Sequence, residues 1–398
     1  MTRVQEIDLY FDYAAATPLD ERVLAAMQPY FQELFFNPSS PYRPAVQVRS
    51  AYEEAKADLA RAFGARAGDI IMTAGATESV ALAFTGVQQS GGHVVVPEIE
   101  HHAVLAAAQR CASASFIAAD PQGRISPQAV AAAIRPETEL ISVGLANSEL
   151  GTVQPLKEIA EAIEAERVRR REHGERRPLY FHTDASQGAG QIDIHPQRLG
   201  VDMMTLNAGK VYGPKQVGLL WAASSVALQP LIAGGGQERG LRSGTENVAG
   251  TVGFAKALQL AVAHQRGEFA RLSRVKQAFL STITELLVDE VMILSPRKGC
   301  LPSHVSLSIP GIDAERVLFL LEMKQMYVST GSACAANKGT RSHVLAGIGL
   351  DDAAIAGSLR ITFGRYSTEE TAKRGAQLLA EVVRHEQQRQ KSRKWGAQ

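Results

Sequence analysis

A chain of 398 residues exceeds one ordinary domain, so two domains with sizeable cores are expected. Hydrophobic residues make up 45% and charged residues 21%, the balance of a soluble globular protein. The formal net charge of +1 gives no global field to attract nucleic acid or an anionic membrane, and no apolar run is long enough to span a bilayer. The start, Met1 to Glu6, lacks the apolar stretch of a signal peptide. Cys111, Cys300 and Cys334 are too few and too widely spaced for a disulfide framework or a zinc ribbon. A reduced, cytoplasmic protein is the expectation, with no membrane or direct nucleic-acid partner.

In chain order, Val48, Tyr52, Ala55, Leu59 and Phe63 recur every three or four residues and predict a surface helix. Asp69 to Met72 reads as a short buried strand, followed by the turn Thr73-Ala74-Gly75-Ala76-Thr77-Glu78 and another helix. Further strands are predicted at His93 to Val96, Leu140 to Leu145, Leu179 to Thr183, Met203 to Leu206 and Gly218 to Ala222. Helical patterns such as Leu156, Ile159, Ala160 and Ile163 separate several of them. This alternation predicts an α/β fold with a mainly parallel sheet covered on both faces. Ligands gather at the carboxyl ends of such strands, where Gly75, Ser148, Asp184 and Lys210 fall.

After about Val262 the pattern changes to a long helix, an alternating strand at His304 to Pro310 and the Cys334 segment, a smaller α+β unit. The basic stretch Arg167 to Arg171 reads as a solvated helix end, and the tail from Gln387 to Gln398 as frayed chain.

Three residues carry the chemistry. Lys210 follows an apolar strand in a turn of small residues, and a lysine held there can form a Schiff base with an aldehyde cofactor. Asp184, on a neighbouring strand, can keep a pyridinium nitrogen protonated. Those are the two groups a pyridoxal phosphate (PLP) enzyme needs most, because the cofactor is the electron sink. Cys334 is a thiol among small, polar residues where a nucleophile could move. The Gly75-Ala76-Thr77 turn has the form of a phosphate cradle, with backbone N–H groups and a helix N-terminus facing an anion. Gly234 to Gly236 and Gly244 read as flexible loop, since no strand–glycine–helix unit surrounds them.

Together these segments resemble the cysteine desulfurases of PLP fold type I, within the class V aminotransferase group. The likeness runs from Tyr10-Phe11-Asp12-Tyr13-Ala14-Ala15-Ala16-Thr17-Pro18 to Arg360-Ile361-Thr362-Phe363-Gly364-Arg365. It also takes in Asn37 to Ser40, Gly75 to Ser79, Glu100 to Val104, Arg242 to Asn247 and Ser329 to Asn337. The resemblance implies a large PLP-binding domain over 17–261 with a mainly parallel seven-stranded sheet. Residues 1–16 and 262–398 would form the smaller domain, carrying a mobile cysteine loop at about 329–341.

It also implies roles. Lys210, rather than Lys215, would bind the cofactor covalently and shuttle protons at the substrate Cα. Asp184 would pair with the pyridine nitrogen, Gln187 with the phenolic oxygen, and His101, not His102, would stack on the ring. Ala76 and Thr77 would hold the phosphate, joined across a homodimer boundary by Thr245. Arg360 would fork onto the substrate α-carboxylate, a task suited to a planar guanidinium, with Asn37 nearby. Cys334 would take the sulfur of L-cysteine as a persulfide, releasing alanine, and pass it to an acceptor or iron–sulfur scaffold protein. A free thiol has a pKa of about 8.5, so nearby positive charge or a proton acceptor must favour the thiolate.

Three positions depart from the family pattern. Its Ser-x-His-Lys is Asn207-Ala208-Gly209-Lys210 here, and its Asn-Asn-Glu is Asn147-Ser148-Glu149. Asn207 could still offer an amide donor to the phosphate, whereas Gly209 has only backbone. Weaker PLP retention is therefore expected. The rival readings are a selenocysteine lyase, another PLP lyase or aminotransferase, and a non-catalytic PLP-fold binding protein.

Overall fold

The computed structural model describes residues 8–87, 92–330 and 341–395. Regular structure begins with β1 (Leu9–Tyr10). Seven strands then build one sheet: β2 (Ile70–Thr73), β3 (His93–Pro97), β4 (Ser113–Ile117), β5 (Thr138–Ser142), β6 (Tyr180–Asp184), β7 (Met203–Asn207) and β8 (Gly218–Ala222). Their spatial order is β2-β8-β7-β6-β5-β3-β4. β8 runs antiparallel to both neighbours and the other pairings are parallel. The expected α/β architecture with a mainly parallel sheet of seven strands is what forms.

Side-chain alternation explains why both faces are covered. Ile70, Met72, Val95, Met204 and Leu206 enter one core, while Ile71, Val94, Val96 and Met203 enter another on the opposite face. The first face is capped by the helices Arg43–Ala62, through Val48, Tyr52 and Leu59, and Leu156–Glu172, through Ile159 and Ile163. The second is capped by Ala76–Val87, through Val80, Ala83 and Phe84.

A further core forms around β9 (Met292–Ile293), β10 (His304–Ser308) and β12 (Ser358–Thr362), ordered β12-β10-β9. β11 (Met326–Tyr327) pairs with β1 beside it. The Val248–Leu286 helix, 39 residues long, buries Phe254 and Leu258 in the first core and Leu272, Phe279 and Ile283 in this one. Among the described residues no helix is long and apolar enough to cross a membrane.

Two expectations are corrected. The Arg167–Arg171 stretch is not simply solvated. Arg170 is only 2% exposed and donates to the carbonyls of Thr138 (2.9 Å) and Arg135 (2.9 Å), while Glu166 accepts from its Nε at 3.0 Å. The tail is helical as far as Trp395, within the Glu369–Trp395 helix. Its anchor is electrostatic: buried Glu386 accepts from Arg316 (2.7 Å) and from Arg389. A missing apolar period therefore does not mean frayed chain here.

Candidate active site

Strand ends build the walls of the site. After β2 the chain turns at Gly75, whose φ of +118° favours glycine. A Cβ on Gly218 of β8 would lie 2.6 Å from the Gly75 carbonyl carbon, so glycine at 218 lets the turn lie against the sheet. The Ala76–Val87 helix starts there, and its first N–H groups have no intrahelical partner. Glu78 ties the turn down, accepting from Ala74 N (2.8 Å) and Arg242 Nε (2.8 Å).

Facing it, Asp184 closes β6 and accepts from Ser186 N at 2.9 Å. Lys210 ends the short turn after β7, and its Nζ donates to the carbonyls of Ala14 (2.6 Å) and Ala15 (2.8 Å). Gln187 Nε2 donates to the same Ala14 carbonyl at 3.1 Å. Thr17 secures the lysine turn, donating to Gly209 O (3.0 Å) and accepting from Tyr212 N (2.8 Å). His101 caps the His102–Gln109 helix, its Nδ1 accepting from Ala103 N at 3.1 Å. A neutral His101 therefore carries its proton on Nε2.

A cavity of about 300 Å³ gathers Ala76, Thr77, His101, Ser148, Asp184, Gln187, Asn207 and Lys210. An adjoining cavity of about 140 Å³ shares the walls of His101, Ser148, Gln187 and Lys210 and adds Arg360. Arg360 is buried on β12; its Nη2 donates to Asp12 Oδ1 (2.7 Å) and its Nη1 to Ser148 O (3.2 Å). Asn37 and Thr245 are exposed and line neither cavity within this chain. Cys334 lies outside the described residues.

Charge within the site is graded. Desolvation lowers the pKa of His101, Asp184 opposes this, and Lys210, His102 and His343 add to the lowering. Burial pushes the Glu100 carboxyl up to about 7, with Asp184 adding to the rise. Glu149 is raised by burial as well, despite a 2.6 Å hydrogen bond from Ser342 Oγ.

The residues present fit PLP. A helix N-terminus would suit a phosphate, an amine an aldehyde, a carboxylate a ring nitrogen and an imidazole a ring face. Ser186 Oγ, buried two residues beyond Asp184 without a hydrogen-bond partner among the described residues, is an orphaned polar atom on the same wall. One expectation sharpens. Asn207 Oδ1 accepts from Gly209 N at 3.0 Å, so the Gly209 N–H is engaged and the Asn207 amide nitrogen is left to donate. Sequence reasoning missed Asp12, Glu100 and His343. The last donates from Nε2 to the Glu100 carbonyl at 2.8 Å. A carboxylate placed directly before His101 at a strand end was the available signal for Glu100.

Residues 9–374 match the family described as aminotransferase class-V. Over 384 residues the chain is 36% identical to cysteine desulfurase IscS of Dictyoglomus turgidum, covering 94% of each. Over 382 residues it is 38% identical to cysteine desulfurase IscS 1 of Archaeoglobus fulgidus, covering 94% of this chain and 96% of the relative. A solved NifS-like protein superimposes with a TM-score of 0.86 at 30% identity, covering 95% of this chain and 100% of that one. A likeness of this extent, on a fold whose strand ends carry an amine, a carboxylate and a helix N-terminus, places the chain in the cysteine desulfurase family of class V aminotransferases.

Proposed function

We propose that this protein is a PLP-dependent cysteine desulfurase: L-cysteine and the Cys334 thiol give L-alanine and a Cys334 persulfide. The observation that carries the reading is the convergence of Lys210, Asp184, His101 and the Thr77 helix end on one cavity beside Arg360. When bound, PLP supplies the electron sink for negative charge at the substrate Cα.

The chain's own groups do the rest. Lys210 is the covalent anchor and moves the proton at Cα. Asp184 holds the ring nitrogen protonated and Gln187 meets the phenolic oxygen. His101, kept neutral by desolvation, stacks on the ring and takes a proton from substrate sulfur or Cys334. Ala76, Thr77 and the Asn207 amide hold the phosphate, with Ser148 alongside and Thr245 supplied from the partner subunit of a homodimer. Arg360 takes the substrate carboxylate, with Asn37 near it. Cys334 attacks the substrate sulfur as thiolate, and the persulfide passes to an acceptor protein for iron–sulfur assembly or tRNA thiolation. The division into 17–261 and 1–16 with 262–398 is part of this proposal. The change of core along one helix, between Leu258 and Leu272, supports it.

Mass spectrometry of the Cys334 peptide after L-cysteine tests the reading. An added sulfur atom with equivalent alanine is expected. Alanine that still forms in Cys334→Ala would instead identify a lyase acting without the thiol.

A further inference from the structure

A third cavity, of about 260 Å³, shares Lys210 and Gln187 with the site described above but reaches none of Thr77, His101, Asp184 or Arg360. It lies where two of the cores meet. Ala189 and Val211 on its wall belong to the core on the first face of the large sheet, Leu272 and Phe363 to the core around β10 and β12. Leu260 and Ala261 of the long helix line it between them. Gly190 lets that helix come close: its φ of +76° favours glycine, and a Cβ there would lie 2.8 Å from Ala261 Cβ. The walls are therefore largely apolar and drawn from both halves of the molecule.

Two buried polar atoms of residues on these walls lack a hydrogen-bond partner among the described residues. His304, which opens β10 and is 1% exposed, engages Ser303 Oγ through Nδ1 at 2.7 Å and leaves Nε2 unmet. Gln191 Nε2 donates to the Gln187 carbonyl at 3.2 Å, which orients the amide and leaves Oε1 with nothing to accept from. Unmatched buried polar groups are costly, so each calls for a ligand atom. Burial keeps the imidazole neutral, and Nε2 donates or accepts according to which way the Ser303 hydroxyl points. A carboxylate could not donate to Gln191 Oε1, and an ammonium could not accept from an Nε2–H. A hydroxyl serves both atoms in either state. The ions at the rim are already engaged, Asp20 with Arg22 and Arg365, and Glu268 with Arg271.

We propose that this cavity is a second binding site, for a small hydroxyl-bearing molecule with an apolar body. The hydroxyl is held on the wall of Gln191 and His304, and the body packs against Leu260, Ala261, Leu272 and Phe363. A cavity of about 150 Å³ already admits benzene, so this one holds a ring with its substituent. The site goes beyond desulfuration, and its occupancy is read without turnover.

Phenol is the probe, and toluene, of the same shape without the hydroxyl, is its control. Each is titrated calorimetrically into the full-length protein with PLP added. Phenol should bind saturably and roughly ten-fold more tightly than toluene. In Gln191→Leu that preference should shrink to near parity, with toluene bound no more weakly than by the wild type. Nuclear magnetic resonance of histidine-labelled wild type gives a reading independent of the variant: the His304 ring signals should move as phenol is added. No saturable phenol binding, equal affinity for phenol and toluene in the wild type, or an unmoved His304 signal would overturn the assignment. Release of PLP by phenol would overturn it too, by placing the probe in the cofactor cavity.

Discussion

Arg360 and Asp12 form an inward ion pair, with Nη2 2.7 Å from Oδ1 across 348 residues of chain. The carboxylate that the guanidinium holds in this structure is thus one of the protein's own. Asp12→Asn keeps an oxygen acceptor for Nη2 but removes the opposing charge. KM for L-cysteine should fall by roughly three- to ten-fold with kcat little changed. Arg360→Lys retains charge without the fork, and KM should rise roughly 10- to 100-fold. Steady-state kinetics on both variants decides it; an unchanged KM in Arg360→Lys would refute the carboxylate role.

Lys210 Nζ is held by two carbonyls in the cavity, whereas Lys215 Nζ donates to Thr17 O at 2.5 Å and lines neither cavity. Lys210→Ala should abolish both the absorbance band of covalently bound PLP and turnover, while Lys215→Ala should retain both. Borohydride reduction followed by peptide mapping reads the attachment point directly.

The phosphate end offers a gain-of-binding test. A Cβ at Gly209 would sit 3.3 Å from Lys215 Cδ and 3.4 Å from Asn207 Oδ1, tight but against movable side chains. Gly209→His should therefore fold and tighten PLP. Asn207→Ala removes a donor and should weaken PLP by roughly ten-fold or more, the worth of one hydrogen bond to a charged group. Equilibrium dialysis of the two apoproteins gives the comparison.

Arg170 is a stability residue. Truncation to alanine removes a buried donor from the Thr138 and Arg135 carbonyls and one of the two arginines that hold Glu166, so unfolding free energy should drop by about 3 kcal/mol. Arg171→Ala, at an exposed position, should cost under about 0.5 kcal/mol. Urea denaturation of the pair measures the contrast.

Buried His182 sits between Ser142 Oγ (2.8 Å) and Thr205 Oγ1 (2.9 Å), and burial lowers its pKa to about 4. The unfolded chain takes up this proton below about 6.5 and the folded one only near 4. The stability contribution is therefore complete above pH 6.5 and is lost as pH falls from there to about 4, by roughly 3 kcal/mol. His182→Gln should flatten the pH dependence of the unfolding midpoint over that window.

Strand ends were legible because a short apolar run followed by glycine, aspartate or lysine needs no tertiary knowledge. Gly75, Asp184 and Lys210 were found that way. β4 was not, because Ser113-Ala114-Ser115-Phe116-Ile117 is a partly exposed edge strand without an apolar run. Within Arg167 to Arg171, partners distant in sequence decide which guanidinium groups turn inward: the carbonyls of residues 135 and 138 for Arg170, and Leu179 O with Asp202 for Arg167. The Asp12–Arg360 pair joins residues from opposite ends of the chain, and nothing local marks it.

The Val248–Leu286 helix, about 58 Å long at 1.5 Å per residue, is rooted at each end in a different core. Around Gly267 its middle is largely exposed to water. The two halves of the molecule are thus joined by a continuous rod as well as by loops, and tilting one against the other must flex that rod elastically. One unbroken element carries part of the connection between the core beneath β6 and the core that includes β12.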